Sequence, residues 1–211
     1  MIKIYVARHG ETSWNAENRI QGRSDPGLST RGRAHSLELL ERFKHQPIST
    51  IYTSTLKRSF ETAQPIADFL NLPVQKQPEL DEMSFGMWEG KIFTDLNQLG
   101  KKEWEEFRAN RFTYRKHGGE NYSDVATRLK PFAERILRIH AEEEILVVGH
   151  RNANRMLIAM LVDYPLQEAL RIEQGHDCVY VIERNGEVKV FHRLNGEVRE
   201  GLLLDGGTVS L

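Results

Sequence analysis

The sequence predicts an α/β fold, a three-layer sandwich in which helices cover both faces of a mostly parallel, mixed sheet. Two observations support this prediction. Short apolar segments alternate along the chain with longer segments of helical periodicity, which is typical of a parallel sheet covered by helices. Near the end of the chain, Asn185-Gly186 separates two strand-like segments. This turn signal predicts an antiparallel hairpin, which makes the sheet mixed.

The predicted strands are apolar segments rich in β-branched and aromatic residues. In chain order they are 2–6, 51–53, 144–149, 178–182 and 188–191. The segments 2–6 and 144–149 have the apolar runs expected of strands buried on both faces.

Helical periodicity fills the intervals between these strands. The segment 122–140 shows it best, with Val125, Leu129, Phe132 and Ile136 along one face. The predicted helices are about 29–44, 56–70, 93–108 and 122–140, with a further helix that begins near Asn154.

The length of 211 residues fits one large domain, so we expect a single domain over residues 1–211. The segment from about 91 to 119 lies between the core elements and contains Trp104, Phe107, Phe112 and several basic residues. We predict that it is a lid-like insertion over a site.

Composition narrows the classes of function. The formal net charge of −1 gives no general attraction to nucleic acid or to an anionic membrane. Cys178 is the single cysteine, so the chain can form no internal disulfide and no cysteine-rich metal site. No apolar run approaches the ~20 residues that a membrane helix needs. We therefore expect a cytoplasmic protein without nucleic-acid or membrane partners, and a homodimer stays open.

The most informative motif is Arg8-His9-Gly10, at the end of the first predicted strand. A histidine between a strand and a glycine turn is expected to be exposed at the carboxyl edge of the sheet, where open α/β sheets bind ligands. Arg8 supplies a fork of N–H donors suited to phosphate. Neutral imidazole is a nucleophile near pH 7. The motif therefore predicts phosphate chemistry on His9.

Other motifs follow the same logic. Arg58 begins a helix just after the second predicted strand, and His150 ends the strongest late strand. Because parallel strands share one carboxyl edge, Arg8, His9, Arg58 and His150 are expected to converge on one anion. Glu82, in an irregular segment, would be the carboxylate near them that donates and accepts protons.

Together these motifs resemble the histidine phosphatase superfamily, also called the phosphoglycerate mutase-like family. The resemblance extends from Ile4 to about Ile182. It rests on the following segments in the family's order: 8–12 with Trp14-Asn15, Gln21-Gly22, 25–29, 53–58 with Thr62-Ala63, 82–90, Gly118-Gly119-Glu120 and Gly149-His150.

The resemblance implies a phosphoglycerate mutase-like fold and a role for each matching residue. His9 resembles the nucleophile that becomes phosphohistidine. Arg8, Arg58 and His150 resemble the pocket for the phosphoryl oxygens, and Glu82 resembles the general acid and base. The implied substrate-binding residues are Asn15, Gln21, Gly22, Phe85, Arg151 and Asn152. The resemblance implies no metal and no cofactor, because side chains neutralise the phosphate, and it implies a small phosphorylated metabolite as substrate.

Two departures from the family pattern bear on the type of enzyme. Asn152 is a feature of the mutases, whereas many phosphatases of the family carry Gly-Gly after the histidine that corresponds to His150. The segment between Glu82 and Gly118 is shorter than in the bisphosphoglycerate-dependent mutases, and Arg108, Arg111 and Arg115 replace their paired arginines only loosely. This length favours a phosphatase.

Three classes of function stay open at this point. They are a metal-independent phosphatase, a 2,3-bisphosphoglycerate-dependent phosphoglycerate mutase, and a non-catalytic phosphate-binding protein on the same scaffold. The substrate also stays open among a sugar phosphate, a phosphoglycerate, phosphoserine and α-ribazole phosphate. His176, beside Asp177, is interpreted as a turn residue rather than as part of the pocket rim.

Overall fold

The computed structural model describes residues 1–92, 105–107, 109–115, 118–205 and 207–209. The strands are β1 Ile2–Arg8, β2 Ile48–Thr53, β3 Val74–Lys76, β4 Glu144–Gly149, β5 Val179–Asn185, β6 Glu187–Leu194, β7 Glu197–Glu200, β8 Leu202–Leu204 and β9 Gly207–Val209. The helices are α1 Ser13–Ala16, α2 Thr30–Phe43, α3 Lys57–Leu70, α4 Tyr122–Ile139 and α5 Arg151–Leu161. Single 3₁₀ turns are Pro78–Leu80, Gly86–Trp88 and Glu168–Arg171.

A seven-stranded sheet with the order β3-β2-β4-β1-β5-β6-β7 forms the centre of the fold. The pairs β3–β2, β2–β4 and β4–β1 are parallel. The pairs β1–β5, β5–β6 and β6–β7 are antiparallel. The sheet is therefore mixed, as predicted, and the 185–186 turn joins β5 to β6 as a hairpin. The strands β8 and β9 form a separate two-stranded sheet.

Two apolar clusters lie on opposite faces of the sheet. Phe132 of α4 and Leu157 of α5 pack with Ile4 of β1 in one cluster, and Ile66 of α3 packs with Tyr5 in the other. Because neighbouring residues of a strand point to opposite faces, Ile4 and Tyr5 divide β1 between the two clusters. The result is the predicted three-layer α/β sandwich.

The predicted helices 29–44, 56–70 and 122–140 agree with the structure to within one residue and the predicted strands to within three, but one helix begins earlier than predicted. α5 begins at Arg151, not near Asn154. The N-cap residue His150 offers no side-chain cap, so the start of this helix has no local sequence signal. The edge strand β3 was not predicted, because Gln75 and Lys76 are exposed and only Val74 is apolar.

The predicted helix 93–108 lies almost wholly outside the described residues, and so does much of the predicted insertion at 91–119. Described residues of that insertion contact the body of the protein, among them Phe107 and Tyr114. The buried ring of Phe107 packs edge-on against Trp88, with 5.3 Å between ring centroids, and Tyr114 stacks on Trp88 at 6.2 Å. In the part of the chain that the structure describes, no helix is long and apolar enough to cross a membrane.

Candidate active site

A cavity of about 650 Å³ opens at the carboxyl edge of the parallel strands. Arg8 pairs with Gly149 in the parallel β1–β4 ladder, so the residues that follow, His9 and His150, leave the sheet side by side. The described residues that line the cavity are Arg8, His9, Asn15, Arg19, Ile20, Gln21, Gly22, Arg58, Glu82, Met83, Phe85, Phe107, Arg111, Tyr122, Arg151, Asn152, Arg155, Leu170, Glu173 and Asp205.

His9 is held by backbone groups on both sides. Its amide donates to the Gly149 carbonyl at 2.9 Å, and its Nδ1 lies 2.7 Å from the Gly10 carbonyl. A carbonyl can only accept, so Nδ1 carries the proton and the lone pair of the neutral ring is on Nε2. Gly10 allows this turn, since a Cβ there would meet the Gly32 carbonyl oxygen at 2.4 Å.

The expectation that His9 is exposed is wrong, because its relative exposure is 2%. The rings of His150 and His176 lie at centroid distances of 5.1 and 5.5 Å. Burial lowers the pKa of His9 well below 6.5, and the charges of Arg58 and Arg8 lower it further. His9 is therefore a neutral imidazole at pH 7.

The two arginines predicted from the motifs both line the cavity. Arg58 is 1% exposed, and its guanidinium donates to the Ser24 and Gly22 carbonyls at 2.7 and 2.8 Å. It also pairs with Asp25 at 3.2 Å. Burial lowers the pKa of Arg58, and it lowers that of Arg8 to about 10, so both stay cationic at pH 7. The Nε atoms of both are buried without a hydrogen-bond partner among the described residues.

His150 lies next to His9, with 5.1 Å between ring centroids, and it is fully buried and not among the residues that line the cavity. Its Nε2 contacts the hydroxyl of Ser54 at 2.7 Å, and that hydroxyl accepts from the Leu56 amide at 3.2 Å. Burial, followed by the charges of Arg58 and Arg8, lowers the pKa of His150 well below 6.5. Nδ1 of this ring is buried without a partner in the described part of the chain.

Glu82 reaches the cavity from the irregular segment, as predicted. Its Oε1 accepts from the amides of Met83 at 2.8 Å and Ala153 at 3.2 Å. Its Oε2 accepts from the amide and the side-chain Nδ2 of Asn152, both at 3.3 Å. Asn152 and Ala153 belong to the first turn of α5, so Glu82 caps a helix from a distant part of the chain.

The predicted substrate-binding residues all line the cavity. Asn15 forms a capping box with Thr12, and Thr12 also donates to Gln21 at 3.0 Å. Gly22 has a φ of +55° and accepts from Arg58. Phe85 is half-buried beside Trp88. Asn152 accepts from the Tyr122 hydroxyl at 2.7 Å while it donates to Glu82, so it helps to hold the carboxylate in place.

Arg151 lines the outer part of the cavity, together with residues that the motifs did not predict. Its Nη2 donates to Glu173 at 2.7 Å, and Glu173 also accepts from Arg155 at 3.0 Å. Arg155 is 4% exposed and donates from Nε to the Ile172 carbonyl at 2.6 Å. Three further described arginine and tyrosine residues line the cavity, namely Arg19, Arg111 and Tyr122.

His176 is closer to His9 than the turn interpretation implied. Its Nδ1 donates to the carbonyl of His9 at 2.6 Å, and its ring stacks on that of His35 at 5.9 Å. Burial lowers the pKa of His176 to about 3. It does not line the main cavity but a second one of about 500 Å³, which His35 also lines. It therefore supports the backbone that carries His9.

The described residues contain no cluster of three or more histidine, cysteine or acidic side chains arranged to hold a metal ion. The positive charge of the cavity comes from arginines. Neutral His9, cationic Arg8 and Arg58, and the carboxylate of Glu82 share one enclosed space. Such a set can bind a phosphoryl group, attack it with imidazole and move a proton at the leaving oxygen.

The chain is similar to known proteins over almost its whole length. The family model for the histidine phosphatase superfamily (branch 1) matches residues 4–197. Phosphoserine phosphatase 1 of Hydrogenobacter thermophilus is 30% identical over 195 residues, which are 92% of this chain and 92% of that protein.

A vertebrate relative and a solved structure extend the comparison. The 6-phosphofructo-2-kinase/fructose-2,6-bisphosphatase of Gallus gallus is 33% identical over 78% of this chain, and the match spans 34% of that longer protein. The structure of Bacillus stearothermophilus YhfR superposes with a TM-score of 0.82 at 31% identity, covering 94% of this chain and 98% of that one.

Proposed function

The chain belongs to branch 1 of the histidine phosphatase superfamily, and on that premise we propose that it hydrolyses a small phosphomonoester through a phosphohistidine on His9. Family membership and the phosphatase relative support a phosphatase- or mutase-type enzyme. The observation that carries the finer proposal is the tautomer of His9. The Gly10 carbonyl holds the proton on Nδ1, which leaves Nε2 as the nucleophile beside two arginines.

In the proposed first step, the lone pair of His9 Nε2 forms a bond to phosphorus. The bond between phosphorus and the leaving oxygen breaks, and that oxygen takes its electron pair. The Nδ1–H bond to the Gly10 carbonyl, at 2.7 Å, stabilises the imidazolium character that develops on the ring. His9 needs no base to activate it, because it is already neutral.

Three side chains are proposed to bind the phosphoryl oxygens, two as cations and one as a neutral hydrogen-bond donor. Arg8 and Arg58 are fixed cations, and their charges do not have to reorganise during the reaction. We assign the proton of neutral His150 to Nδ1, because the Ser54 hydroxyl is placed to donate to Nε2. Nδ1–H of His150 then becomes a third donor toward the phosphoryl group.

Glu82 is proposed to move the protons. Its Oε2 has only two contacts of 3.3 Å, so it is the more weakly held oxygen and the one that can carry a proton. This proton passes to the leaving oxygen in the first step. In the second step, the Glu82 carboxylate takes a proton from water, the water oxygen bonds to phosphorus, and the bond between phosphorus and Nε2 breaks.

The proposal makes no use of a metal ion, because Arg8 and Arg58 supply the cationic charge that Mg²⁺ supplies in many phosphoryl-transfer enzymes. We expect EDTA-treated protein to keep its activity and vanadate to inhibit competitively with substrate. Complete loss of activity in EDTA, restored by a metal, would contradict this part of the proposal.

A panel of phosphomonoesters, assayed with and without 2,3-bisphosphoglycerate, separates the three classes of function. The proposal predicts release of inorganic phosphate without bisphosphoglycerate, and loss of that release in His9→Ala. A mutase would instead interconvert phosphoglycerates only after bisphosphoglycerate is added. A non-catalytic binder would bind phosphomonoesters and release no phosphate from any of them.

A further inference from the structure

The carboxylate of Glu89 binds the backbone of two loops near the cavity. In the first loop, Oε1 accepts from the Arg23 amide at 3.1 Å and Oε2 from the Ser24 amide at 2.9 Å. In the second loop, Oε1 accepts from the Phe85 amide at 3.0 Å. The hydroxyls of Ser24 and Ser84 add contacts of 2.9 and 3.4 Å. Glu89 is not among the described residues that line the cavity, so its effect on a bound ligand passes through other groups.

The first of these loops holds Arg58. The Gly22 carbonyl accepts from Nη2 of Arg58 at 2.8 Å. The amide of the same peptide unit belongs to Arg23, and it donates to Glu89. One peptide group therefore lies between a carboxylate and a guanidinium, with its N–H toward the anion and its C=O toward the cation. A dipole in this orientation is attracted at both ends, and each of the two hydrogen bonds strengthens the other.

The carboxylate reaches this peptide because residue 22 is a glycine. Gly22 has a φ of +55°, and a Cβ at this position would lie 2.2 Å from Oε1 of Glu89. A larger residue would therefore displace either the carboxylate or the loop. Burial lowers the pKa of Arg58, and nearby carboxylates, Glu89 among them, raise it. The charge of Glu89 thus favours the cationic form of Arg58.

The second loop begins at Glu82, the proposed proton donor. Glu89 binds this loop at positions 84 and 85, and beside it the Gly90 amide donates to the Ile20 carbonyl at 2.8 Å. The two loops are therefore joined to each other where they flank Glu89. Backbone carbonyls are present in any sequence, but their direction depends on how their loop is held. Holding the first loop keeps its carbonyls directed at Arg58.

We propose that Glu89 is a positioning residue for phosphate binding, which acts through the Gly22–Arg23 peptide to hold the guanidinium of Arg58 toward the phosphoryl group. The inference rests on the proposed function, because that function makes Arg58 a ligand of the phosphoryl oxygens, and it deepens it. A merely structural carboxylate would stabilise the loops and leave the contribution of Arg58 to phosphate binding unchanged.

A double-mutant cycle on the binding of inorganic phosphate, measured by calorimetry, tests the proposal. Glu89→Gln replaces an acceptor oxygen by an N–H donor among backbone amides, and we expect it to raise the Kd of phosphate about tenfold. Arg58→Lys lacks the fork that reaches both carbonyls, so Glu89→Gln should raise the Kd by less than about twofold in that variant. Equal effects in the parent and in Arg58→Lys, or no effect in the parent, would overturn the proposal.

Ser24→Ala is a milder second variant for the case that Glu89→Gln does not fold. It removes one hydroxyl donor at 2.9 Å and leaves the carboxylate in place. We expect the Kd of phosphate to rise about threefold in the parent and to stay unchanged when Ser24→Ala is added to Arg58→Lys. A rise of the same size in both would overturn the proposal.

Glu120→Gln is the matched control. It removes the same charge from a carboxylate that accepts from the Ser84 amide at 2.9 Å and pairs with Arg128. Its effect on the Kd should be equal with and without Arg58→Lys. A dependence on Arg58 as large as that of Glu89→Gln would overturn the proposal, because the loops as a whole would then position the guanidinium.

The cycle is independent of turnover because inorganic phosphate is the probe. A dependence of the Glu89→Gln effect on Arg58, in a chain that releases no phosphate from any ester, would refute the phosphatase function alone. Turnover of phosphomonoesters without that dependence would refute only the role of Glu89.

Discussion

The inner and the outer end of the cavity are built in different ways. At the inner end, backbone carbonyls hold the side chains: Gly10 holds His9, and Gly22 and Ser24 hold Arg58. At the outer end, Arg151 is half-exposed and depends on a side chain, Glu173. Backbone acceptors persist whatever the sequence, whereas an ion pair is lost with one substitution. The inner end is therefore suited to fixed chemistry, and the outer end to specificity that can change without changing the fold.

The largest predicted effect tests the inner end. Arg58→Lys keeps the charge but loses the planar fork of donors, and we expect kcat/KM to fall by about 10³-fold on every phosphomonoester. Asp25→Asn is the control, because it weakens the 3.2 Å ion pair but leaves the guanidinium in place. It should cost less than about tenfold. A similar loss in both variants would mean that Arg58 acts by holding the loop at Asp25 and not by binding phosphate.

The second prediction concerns proton transfer at the inner end. Glu82→Gln cannot donate a proton, so the loss should be about 10²-fold greater on glycerol 3-phosphate, a poor leaving group, than on p-nitrophenyl phosphate. The neighbouring Asp81→Asn removes a carboxylate that binds Thr55 and does not line the cavity. Its effect should be the same on both substrates. A Glu82→Gln ratio near one would assign Glu82 only a structural role, as the cap of α5.

A smaller effect is expected from the hydroxyl behind the site. Ser54→Ala removes the contact with His150 Nε2 and with it the preference for the Nδ1 proton. We expect kcat/KM to fall by about tenfold with little change in KM, as for other residues that orient a site group through a hydrogen bond. Ser36→Ala deletes another buried hydroxyl, which donates to the Thr62 carbonyl at 2.8 Å, and should leave kcat unchanged. Equal effects of the two substitutions would remove Ser54 from the mechanism.

The smallest effect is on stability and arises from His176 at the back of His9. Its pKa is about 3 in the folded protein and about 6.5 in an unfolded chain. Between these values the unfolded chain binds a proton that the folded chain does not, so His176 lowers stability as the pH falls below about 6.5. His176→Asn keeps a donor for the His9 carbonyl and should reduce the loss of unfolding free energy between pH 7 and 5 by about 1–2 kcal/mol.

Urea denaturation at several pH values measures this difference. His45→Asn is the control, because His45 is exposed and its ring stays in water in both states. An unchanged pH slope in His176→Asn would show that the buried ring does not resist protonation in the folded protein.

The sequence predicted those parts of the molecule that depend on local patterns. The apolar run before Arg8-His9-Gly10, the helix 122–140 and the Asn185-Gly186 turn are local signals, and the structure agrees with each. The start of α5 was predicted late because its cap is Glu82, which is remote in sequence. The burial of His9 and its support by His176 also depend on contacts between distant segments. The short edge strand β3 has too little apolar pattern to predict.

The same distinction applies to the candidate site. Residues carried by motifs, including Arg8, His9, Arg58, Glu82 and His150, lie together in or against the cavity. Ser54 contacts His150, and Glu173 contacts Arg151, through side chains far apart in the sequence. A single sequence shows which residues have the right chemistry. It does not show which side chains orient them, because that depends on packing between layers.

The central claim is that the phosphoryl group passes through His9, and trapping the intermediate tests it most directly. Protein mixed rapidly with ³²P-labelled phosphomonoester and quenched in alkaline detergent should carry label that is stable to base, released by acid and located on His9 by peptide mass spectrometry. His9→Gln should carry no label and release no phosphate. Label on another residue, turnover without label at any quench time, or a His9→Gln variant within tenfold of the parent would contradict the account.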